Sequence, residues 1–280
     1  MSDLLDLSDF KNVLYVDRIY ASLQTLENRN LAPKSTKRNL STSELRLFSQ
    51  NGEDGVIDAI LRAIGDYNKF FVEFGVGDGW SCNTRLLAEV FDWDGLYIEI
   101  DDKDHAALQE RYCKSSKIQC KKAAVTPANI NELFAAAKVP KRFGVLSIDI
   151  DGQDYWVWKA LDNAYQPDLV VMEFNGALDS TSLVVEEEGI PQGALTATWG
   201  ASLAALTDLA KKKGYRLVHI EMAGVNAFFI REKTIVEKSL ALQGITENRS
   251  PNFGLRGRNH SDVTLYGNGE KKDRPQVIVK

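Results

Sequence analysis

The stretch that most constrains the fold of this chain is residues 70–80, which read Phe-Phe-Val-Glu-Phe-Gly-Val-Gly-Asp-Gly-Trp. Its first half is a short run of aromatic and β-branched residues, which is typical of a buried strand. The run ends in Gly75, Gly77 and Gly79, and glycines let a backbone turn sharply and let a ligand approach closely. Residues 81–84 can then open a helix, whose first N–H groups are available to a ligand. This order predicts a nucleotide-sized binding site.

The next predicted strand, residues 95–101, ends in acidic side chains. Glu99 follows Gly79 by about 20 residues, the spacing expected between a glycine turn and an acid that binds ribose. A carboxylate at this position can accept two hydrogen bonds from vicinal hydroxyls. Glu99 is therefore the main candidate for ribose binding. Asp101 is a weaker candidate, and a solvated strand end is the alternative.

Acidic and amide side chains also follow two later predicted strands. Asp149, Asp151 and Asp154 come directly after the apolar run 145–148, and Glu173 and Asn175 end the strand at 168–175. Carboxylates so close together repel one another unless something positive lies among them. The pattern favours a metal, a cationic ligand or a protonated acid. The alternative is an Asp-Gly turn whose carboxylates cap the next helix.

The order of the predicted elements indicates an α/β fold. Strands alternate with helices, which favours a Rossmann-like, doubly wound, mostly parallel sheet of seven strands with its ligand at the carboxyl ends. Two closing strands, 215–220 and 226–231, are near enough in sequence to form an antiparallel hairpin. We expect three parts: an N-terminal helix (2–28) and linker over 1–43, the main domain over 44–243, and a polar tail over 244–280. The segment 176–199 is a long insertion.

Composition limits the classes of function. The chain has 280 residues, 44% of them apolar and 26% charged, with a net charge of −5, which makes a nucleic-acid partner unlikely. No apolar run approaches the ~18 residues that a membrane span needs. Three cysteines without C-x-x-C spacing favour free thiols in a reducing compartment. We therefore expect a cytoplasmic protein.

Two nucleotide cofactors compete for the glycine turn. A dinucleotide site requires G-x-G-x-x-G, so that the pyrophosphate rests on the helix N-terminus. Here the third glycine comes one residue early, and Glu73 lies two residues before the first. A carboxylate beside a diphosphate is unfavourable, whereas beside a cationic sulfonium it is favourable.

The pattern Phe-Val-Glu-Phe-Gly-Val-Gly-Asp-Gly, the acid Glu99 and the closing hairpin resemble class I S-adenosylmethionine-dependent methyltransferases. The blocks Leu146–Tyr155 and Val171–Asn175 are similar to the FkbM-like group of that superfamily. The resemblance covers about residues 44–232. It implies that Glu73, Gly75, Gly77 and Asp78 line the methionine and ribose side of the cofactor with Asp149, and that Glu99 holds the ribose hydroxyls. The usual adenine acid is absent from the Ala123–Thr126 stretch, where Thr126 or a backbone amide would replace it.

The resulting expectation is O-methylation of a small hydroxylated molecule, a sugar or natural-product intermediate. Asp149 and Asp151 are the catalytic candidates. Together with Glu173 and Asn175 they would hold Mg²⁺, because all-oxygen ligands suit this ion; without a metal, Asp149 would act as the base.

Two other functions stay open. One is a non-catalytic binding or assembly protein, which could also form homo-oligomers through helix 2–28. The other is a nicotinamide-dependent oxidoreductase. Gln50, Glu53 and Asp54 could reach a ligand or could simply mark a helix junction, and His219 is expected in the core.

Overall fold

The computed structural model describes residues 37–190, 199–248 and 276–279. Its strands are β1 (Lys37–Asn39), β2 (Phe70–Phe74), β3 (Asp94–Glu99), β4 (Ile118–Lys122), β5 (Arg142–Ile148), β6 (Gln166–Glu173), β7 (Val184–Glu186), β8 (Tyr215–Ile220), β9 (Asn226–Arg231), β10 (Ala241–Gln243) and β11 (Gln276–Ile278). Its α-helices are α1 (Glu53–Ile64), α2 (Arg85–Glu89), α3 (Asp102–Tyr112), α4 (Ile130–Ala136), α5 (Asp154–Ala160), α6 (Leu203–Lys212) and α7 (Glu232–Glu237).

Seven of the strands form one sheet in the order β4-β3-β2-β5-β6-β9-β8. The pairs among β2 to β6 are all parallel, and β9 is antiparallel to both β6 and β8. This confirms the predicted Rossmann-like, mostly parallel sheet with its C-terminal antiparallel hairpin. The strand order reverses between β2 and β5, so a cleft is expected outside the carboxyl ends of these two strands.

Helices cover both faces of the sheet, and for this reason the central strands are almost continuously apolar. On one face α4, α5 and α6 pack on side chains such as Phe74 and Phe143. On the other face α1, α3 and α7 pack on side chains such as Phe71 and Tyr97. Because successive side chains of a strand point to opposite faces, Glu73 shares the face of Phe71.

Residues 43–64 were expected to form a helix interrupted at 48–55, with a new helix starting at Glu53 as one alternative. The helix begins at Glu53, and residues 44–52 form a loop. Asp54 organises this loop, because its Oδ2 accepts hydrogen bonds from the N–H groups of Leu47, Phe48 and Ser49 at 2.8–2.9 Å. The stretch is therefore a junction built around a buried carboxylate.

Two small sheets connect the main domain to segments that we assigned elsewhere. Strand β1, inside the expected linker, pairs with β10, and β11, near the end of the expected tail, pairs with β7 in the 176–199 insertion. The division into 1–43, 44–243 and 244–280 stays a prediction, but pairing crosses both of its boundaries. Helix 2–28 lies outside the described residues. Within the described ranges, no helix is long and apolar enough to cross a membrane.

Candidate active site

A cavity of about 300 Å³ opens at the carboxyl edge of the sheet, beside the point where the strand order reverses. Its lining comes from the glycine turn, the ends of β3 and β5, the first turn of α3, the segment after β4, and the loop before α1. The lining residues are Gln50, Gly75, Gly77, Ile98, Glu99, Ile100, Asp104, Ala123, Val125, Asp149, Ile150 and Asp151. Six separate segments of the chain thus meet at one cleft, as the predicted sheet requires.

Two glycines of the turn are needed for different reasons. A Cβ on Gly75 would lie 1.4 Å from the carbonyl oxygen of Asp149, so this glycine lets the ends of β2 and β5 pack together. Gly77 has a φ of +56°, a backbone conformation that residues with side chains rarely adopt. Its N–H donates a 2.7 Å hydrogen bond to Oε2 of Glu99, which ties the turn to the end of β3.

Glu99 lines the cavity but is also held by the backbone around it. Its Oε1 accepts hydrogen bonds from the N–H groups of Ile100 at 2.8 Å and Asp101 at 2.9 Å. Three backbone donors thus fix the carboxylate at the mouth of the cavity, and lone pairs remain for a ligand. Asp101 caps α3, because its Oδ1 accepts from Lys103 and Asp104, and it is absent from the described lining.

Asp104 is a lining residue that the sequence analysis did not select. It lies in the first turn of α3, where an acid is favourable to any helix, so its sequence position did not distinguish it from an ordinary helix start. Partial burial raises its pKa, and the neighbouring carboxylates of Asp101, Glu99 and Asp78 add to the effect. Asp104 therefore extends the acidic wall begun by Glu99.

Glu73 does not face the cavity, which differs from the expectation that it lines the cofactor. Its Oε1 accepts from the Asn83 N–H at 2.8 Å and the Ser147 hydroxyl at 3.2 Å, and its Oε2 accepts from the N–H and hydroxyl of Thr84. All four donors belong to the protein, so Glu73 anchors the chain before α2 to the sheet. Burial raises its pKa, and these hydrogen bonds oppose the shift.

Asp78 also lies apart from the cavity. It is exposed, and its Oδ1 accepts a 2.9 Å hydrogen bond from the Trp80 N–H within the turn. Thr126 is likewise absent from the described lining, and its N–H donates to Oδ1 of Asn129 at the start of α4. The wall near Thr126 consists instead of the apolar residues Ala123 and Val125.

Asp149 and Asp151, which line the cavity, form an acidic cluster with Glu173, which lies outside the described lining. Each offers a carboxylate oxygen, and these oxygens lie within 4.8 Å of one another. Burial raises the pKa of Asp149 and of Glu173 well above the ordinary range, and repulsion within the cluster raises them further. Oε2 of Glu173 is buried and has no hydrogen-bond partner among the described residues. A cation among these oxygens would relieve both the repulsion and the unpaired acceptor.

The turn that carries the cluster is held by Asp154. Its two carboxylate oxygens accept 3.0 Å hydrogen bonds from the N–H groups of Ile150 and Gly152, and burial raises its pKa to about 6. Asp151 has a φ of +55°, which is uncommon for a residue with a side chain. Asp154 therefore stabilises the Asp151–Gly152 turn from the first residue of α5, whereas Asp149 and Asp151 line the cavity.

Asn175, an expected metal ligand, uses both ends of its amide in hydrogen bonds to the backbone. Its Nδ2 donates to the carbonyl of Trp199 at 2.9 Å, and its Oδ1 accepts from the N–H of Ala177 at 3.0 Å. Both ends of the fully buried amide are bonded to backbone groups. Asn175 therefore shapes the segment after β6.

Of the remaining candidates, one lines the cavity and the others are buried away from it. Gln50 lines the cavity, whereas Glu53 and Asp54 are fully buried at the start of α1. His219 is a core residue as expected: its Nδ1 accepts from the Ile245 N–H at 3.1 Å, and its Nε2 lies 3.1 Å from Oε1 of Glu44.

Comparison with known proteins found similarity only among solved structures. No family model matches the sequence, and no curated protein sequence matches it. The N-terminal domain of EvdMO1, crystallised in the presence of SAH and D-fucose, is 16% identical, with 64% of this chain and 80% of that chain covered and a TM-score of 0.41. A SAM-dependent methyltransferase from Aquifex aeolicus is 10% identical (62% and 87% covered, TM-score 0.36). The CurJ carbon methyltransferase is 9% identical (66% and 56% covered, TM-score 0.42). At these identities the likeness concerns the fold alone.

Proposed function

We propose that this chain is an S-adenosylmethionine-dependent methyltransferase of the FkbM-like group. The observation that carries the proposal is the charge of the cavity. Four of its lining residues are acidic, Glu99, Asp104, Asp149 and Asp151, and none of the described lining residues is a lysine or an arginine. Such a cavity attracts the sulfonium and ammonium groups of S-adenosylmethionine and repels a diphosphate. This is the main reason to prefer methyl transfer over nicotinamide chemistry.

The cavity also offers a suitable place for each part of the nucleoside. The remaining lone pairs of Glu99 would accept hydrogen bonds from the ribose hydroxyls. Ile98, Ile100, Ala123 and Val125 form an apolar wall against which adenine would pack. Glu73 would act indirectly, because it fixes the chain before α2 and thereby the position of the glycine turn.

The acidic cluster fits a divalent cation. Asp149, Asp151 and Glu173 would supply oxygen ligands to Mg²⁺, and this ion prefers carboxylates and water. When bound, it would lower the pKa of an acceptor hydroxyl. Without a metal, the raised pKa of Asp149 suits it to take the hydroxyl proton itself.

We assign the acceptor to small hydroxylated molecules, such as a sugar or a natural-product intermediate. The acceptor oxygen would attack the methyl carbon in line with sulfur as the carbon–sulfur bond breaks, and the acceptor proton would leave to a carboxylate of the cluster. The protein would contribute mainly by holding the two reactants in line. S-adenosylmethionine supplies the methyl group and leaves as S-adenosylhomocysteine.

The first experiment is calorimetric titration of the full chain with S-adenosylmethionine, S-adenosylhomocysteine and NAD. We expect the first two to bind and NAD not to bind. Binding of NAD without S-adenosylmethionine would instead support an oxidoreductase. The second experiment supplies sugars and hydroxylated natural products and detects methylated products by mass spectrometry. Cofactor binding without product from any acceptor class would favour the non-catalytic alternative.

The role of the metal is tested separately with a chelator and with Asp149→Asn. Turnover that is lost with the chelator and restored by Mg²⁺ supports a metal-assisted reaction. Turnover that resists the chelator but is lost in Asp149→Asn supports Asp149 as the base. Turnover unchanged by both would exclude either role for this residue.

A further inference from the structure

Asn226, the first residue of β9, lies beside the acidic cluster. In the antiparallel pairing of β6 with β9, Asn226 is directly opposite Glu173. Side chains opposite each other in an antiparallel pair share one face of the sheet, with Cβ atoms about 4.5–5.5 Å apart. Asn226 therefore projects from the same face as the carboxylate of Glu173, at the same edge of the sheet.

The amide of Asn226 is buried and only half satisfied. The residue is 3% exposed, and its Nδ2 donates a 2.9 Å hydrogen bond to Oε1 of Glu53. Its Oδ1 is buried and has no hydrogen-bond partner among the described residues. An unpaired buried acceptor is uncommon in native proteins and calls for a specific explanation.

Glu53 fixes which end of the amide is free. A carboxylate oxygen accepts hydrogen bonds, so the NH₂ end of Asn226 must face Glu53 and the oxygen must face away from it. Glu53 is itself held in place, because its Oε2 accepts from the Asn51 N–H at 2.7 Å. The carbonyl end of the amide therefore points away from Glu53, and the sheet register places Asn226 directly opposite Glu173.

Two unpaired buried oxygens, Oδ1 of Asn226 and Oε2 of Glu173, belong to residues that face each other across the sheet. We propose that Asn226 Oδ1 joins the carboxylates of Asp149, Asp151 and Glu173 to complete an all-oxygen site for a divalent cation such as Mg²⁺ or Mn²⁺. In this site Asn226 takes the place that sequence reasoning assigned to Asn175. A neutral amide adds a ligand without adding to the repulsion among three carboxylates, and oxygen ligands of this kind suit Mg²⁺ and Mn²⁺.

Glu53 and Asn51 then act as positioning residues. Hydrogen bonds behind a metal ligand orient it and are worth about 10–100-fold in metal affinity. The chain from the Asn51 N–H to Glu53 and on to Asn226 fits this description. The inference uses the cleft of the proposed methyltransferase, but metal binding can be measured without cofactor or turnover.

The test measures Mn²⁺ binding to the full chain by electron paramagnetic resonance and by calorimetry, in the absence of S-adenosylmethionine. We expect Asn226→Ala to weaken binding at least tenfold. Asn226→Asp keeps an oxygen at this position and is expected to bind far more tightly than Asn226→Ala. The matched control is Asn248→Ala. Asn248 also donates its Nδ2 to a protein oxygen, Gly176 O at 3.2 Å, and its buried Oδ1 has no hydrogen-bond partner in the part of the chain that the structure describes, but it lines another groove. The control should leave the Mn²⁺ affinity unchanged.

Circular dichroism establishes that each variant is folded before its affinity is compared. Unchanged affinity in folded Asn226→Ala overturns the proposal, as does an equal loss in Asn226→Ala and Asn226→Asp. If Asn226→Ala does not fold, the other two variants decide. Wild-type Mn²⁺ affinity in Asn226→Asp together with weaker Mn²⁺ binding in Glu53→Ala supports the proposal. Unchanged Mn²⁺ affinity in Glu53→Ala overturns it. A wild-type chain that methylates but binds no Mn²⁺ refutes this inference and leaves the proposed function intact. A chain that binds Mn²⁺ but not S-adenosylmethionine refutes the proposed function and leaves this inference intact.

Discussion

Glu73 and Glu173 are two glutamates on one face of the sheet, yet their surroundings are opposite. Glu73 receives four hydrogen bonds from the protein. Glu173 faces other carboxylates and keeps one oxygen without a partner among the described residues. The register explains the difference. Glu73 is paired with Ser147, which is paired with Val171, and Glu173 lies two residues beyond Val171 toward the carboxyl edge of the sheet. An acid surrounded by protein donors is structural, whereas we expect an acid at the carboxyl edge with an unpaired oxygen to bind a ligand.

The largest expected effect concerns the open-edge cluster. Asp149→Asn should lower turnover by about 10²–10⁴-fold, the usual range for removing a group that handles a proton. The free energy of unfolding at neutral pH should not fall, because the change removes a buried charge that repels its neighbours. Kinetics and urea denaturation of the same preparation measure both quantities. A variant that loses stability as well as turnover would place Asp149 with the structural acids.

Substitution of Glu73, which is surrounded by protein donors, should affect stability more than turnover. Glu73→Ala leaves four donors without their acceptor, and at roughly 1–3 kcal/mol for each unsatisfied buried group the loss should be about 4 kcal/mol or more. Glu73→Gln keeps an acceptor oxygen and should lose about half as much. Urea denaturation measures both. If Glu73→Ala were as stable as the wild type but unable to bind S-adenosylmethionine, Glu73 would face the ligand after all.

Asp54 combines both environments, because its Oδ2 receives several hydrogen bonds while its Oδ1 has no partner within the described ranges. Burial raises its pKa from 3.8 to about 6 in the folded protein. Between about pH 4 and 6 the folded chain therefore keeps a proton that the unfolded chain has released, so stability falls as the pH rises. Two pKa units correspond to about 3 kcal/mol.

Asp54→Asn cannot titrate and should lack this contribution. The difference in unfolding free energy between wild type and variant is expected to change by about 3 kcal/mol between pH 4 and pH 7. Urea denaturation at several pH values gives the two curves. Parallel curves would show that folding does not shift the pKa of Asp54.

The smallest expected effect concerns Glu99, which three backbone N–H groups hold at the cavity. Glu99→Gln should weaken S-adenosylmethionine binding about tenfold, because one hydrogen bond to a charged group is worth roughly 1.5 kcal/mol or more. Asp101→Asn is the matched control, since asparagine also caps a helix and Asp101 does not line the cavity. Calorimetry gives both affinities. An equal loss in the two variants would assign ribose binding to Asp101 as well.

Much of the fold could be predicted because it follows from local pattern. Apolar runs at 70–74 and 145–148, each followed by polar turns, correspond to β2 and β5, and the short connection between β8 and β9 indicated their hairpin. A helix junction at Glu53 was among the alternatives that the sequence left open. The conformation of the loop at 44–52 could not be predicted, because it depends on a carboxylate that contacts the backbone five to seven residues earlier. The pairing of β1 with β10 joins segments about 200 residues apart, and no local pattern records it.

The same division holds at the site. The sequence by itself determined that acids would gather at the carboxyl edge, because parallel strands place their ends together. Only the tertiary structure decided which acids face the cavity. That depends on how far each residue lies from the carboxyl edge of the sheet and on which hydrogen-bond donors from other segments contact its side chain. Glu73 and Asn175 are satisfied by neighbours distant in sequence or by the backbone around them. Asp104, which carried no local signal, lines the cavity because of the placement of its helix, and sheet register alone places Asn226 opposite Glu173.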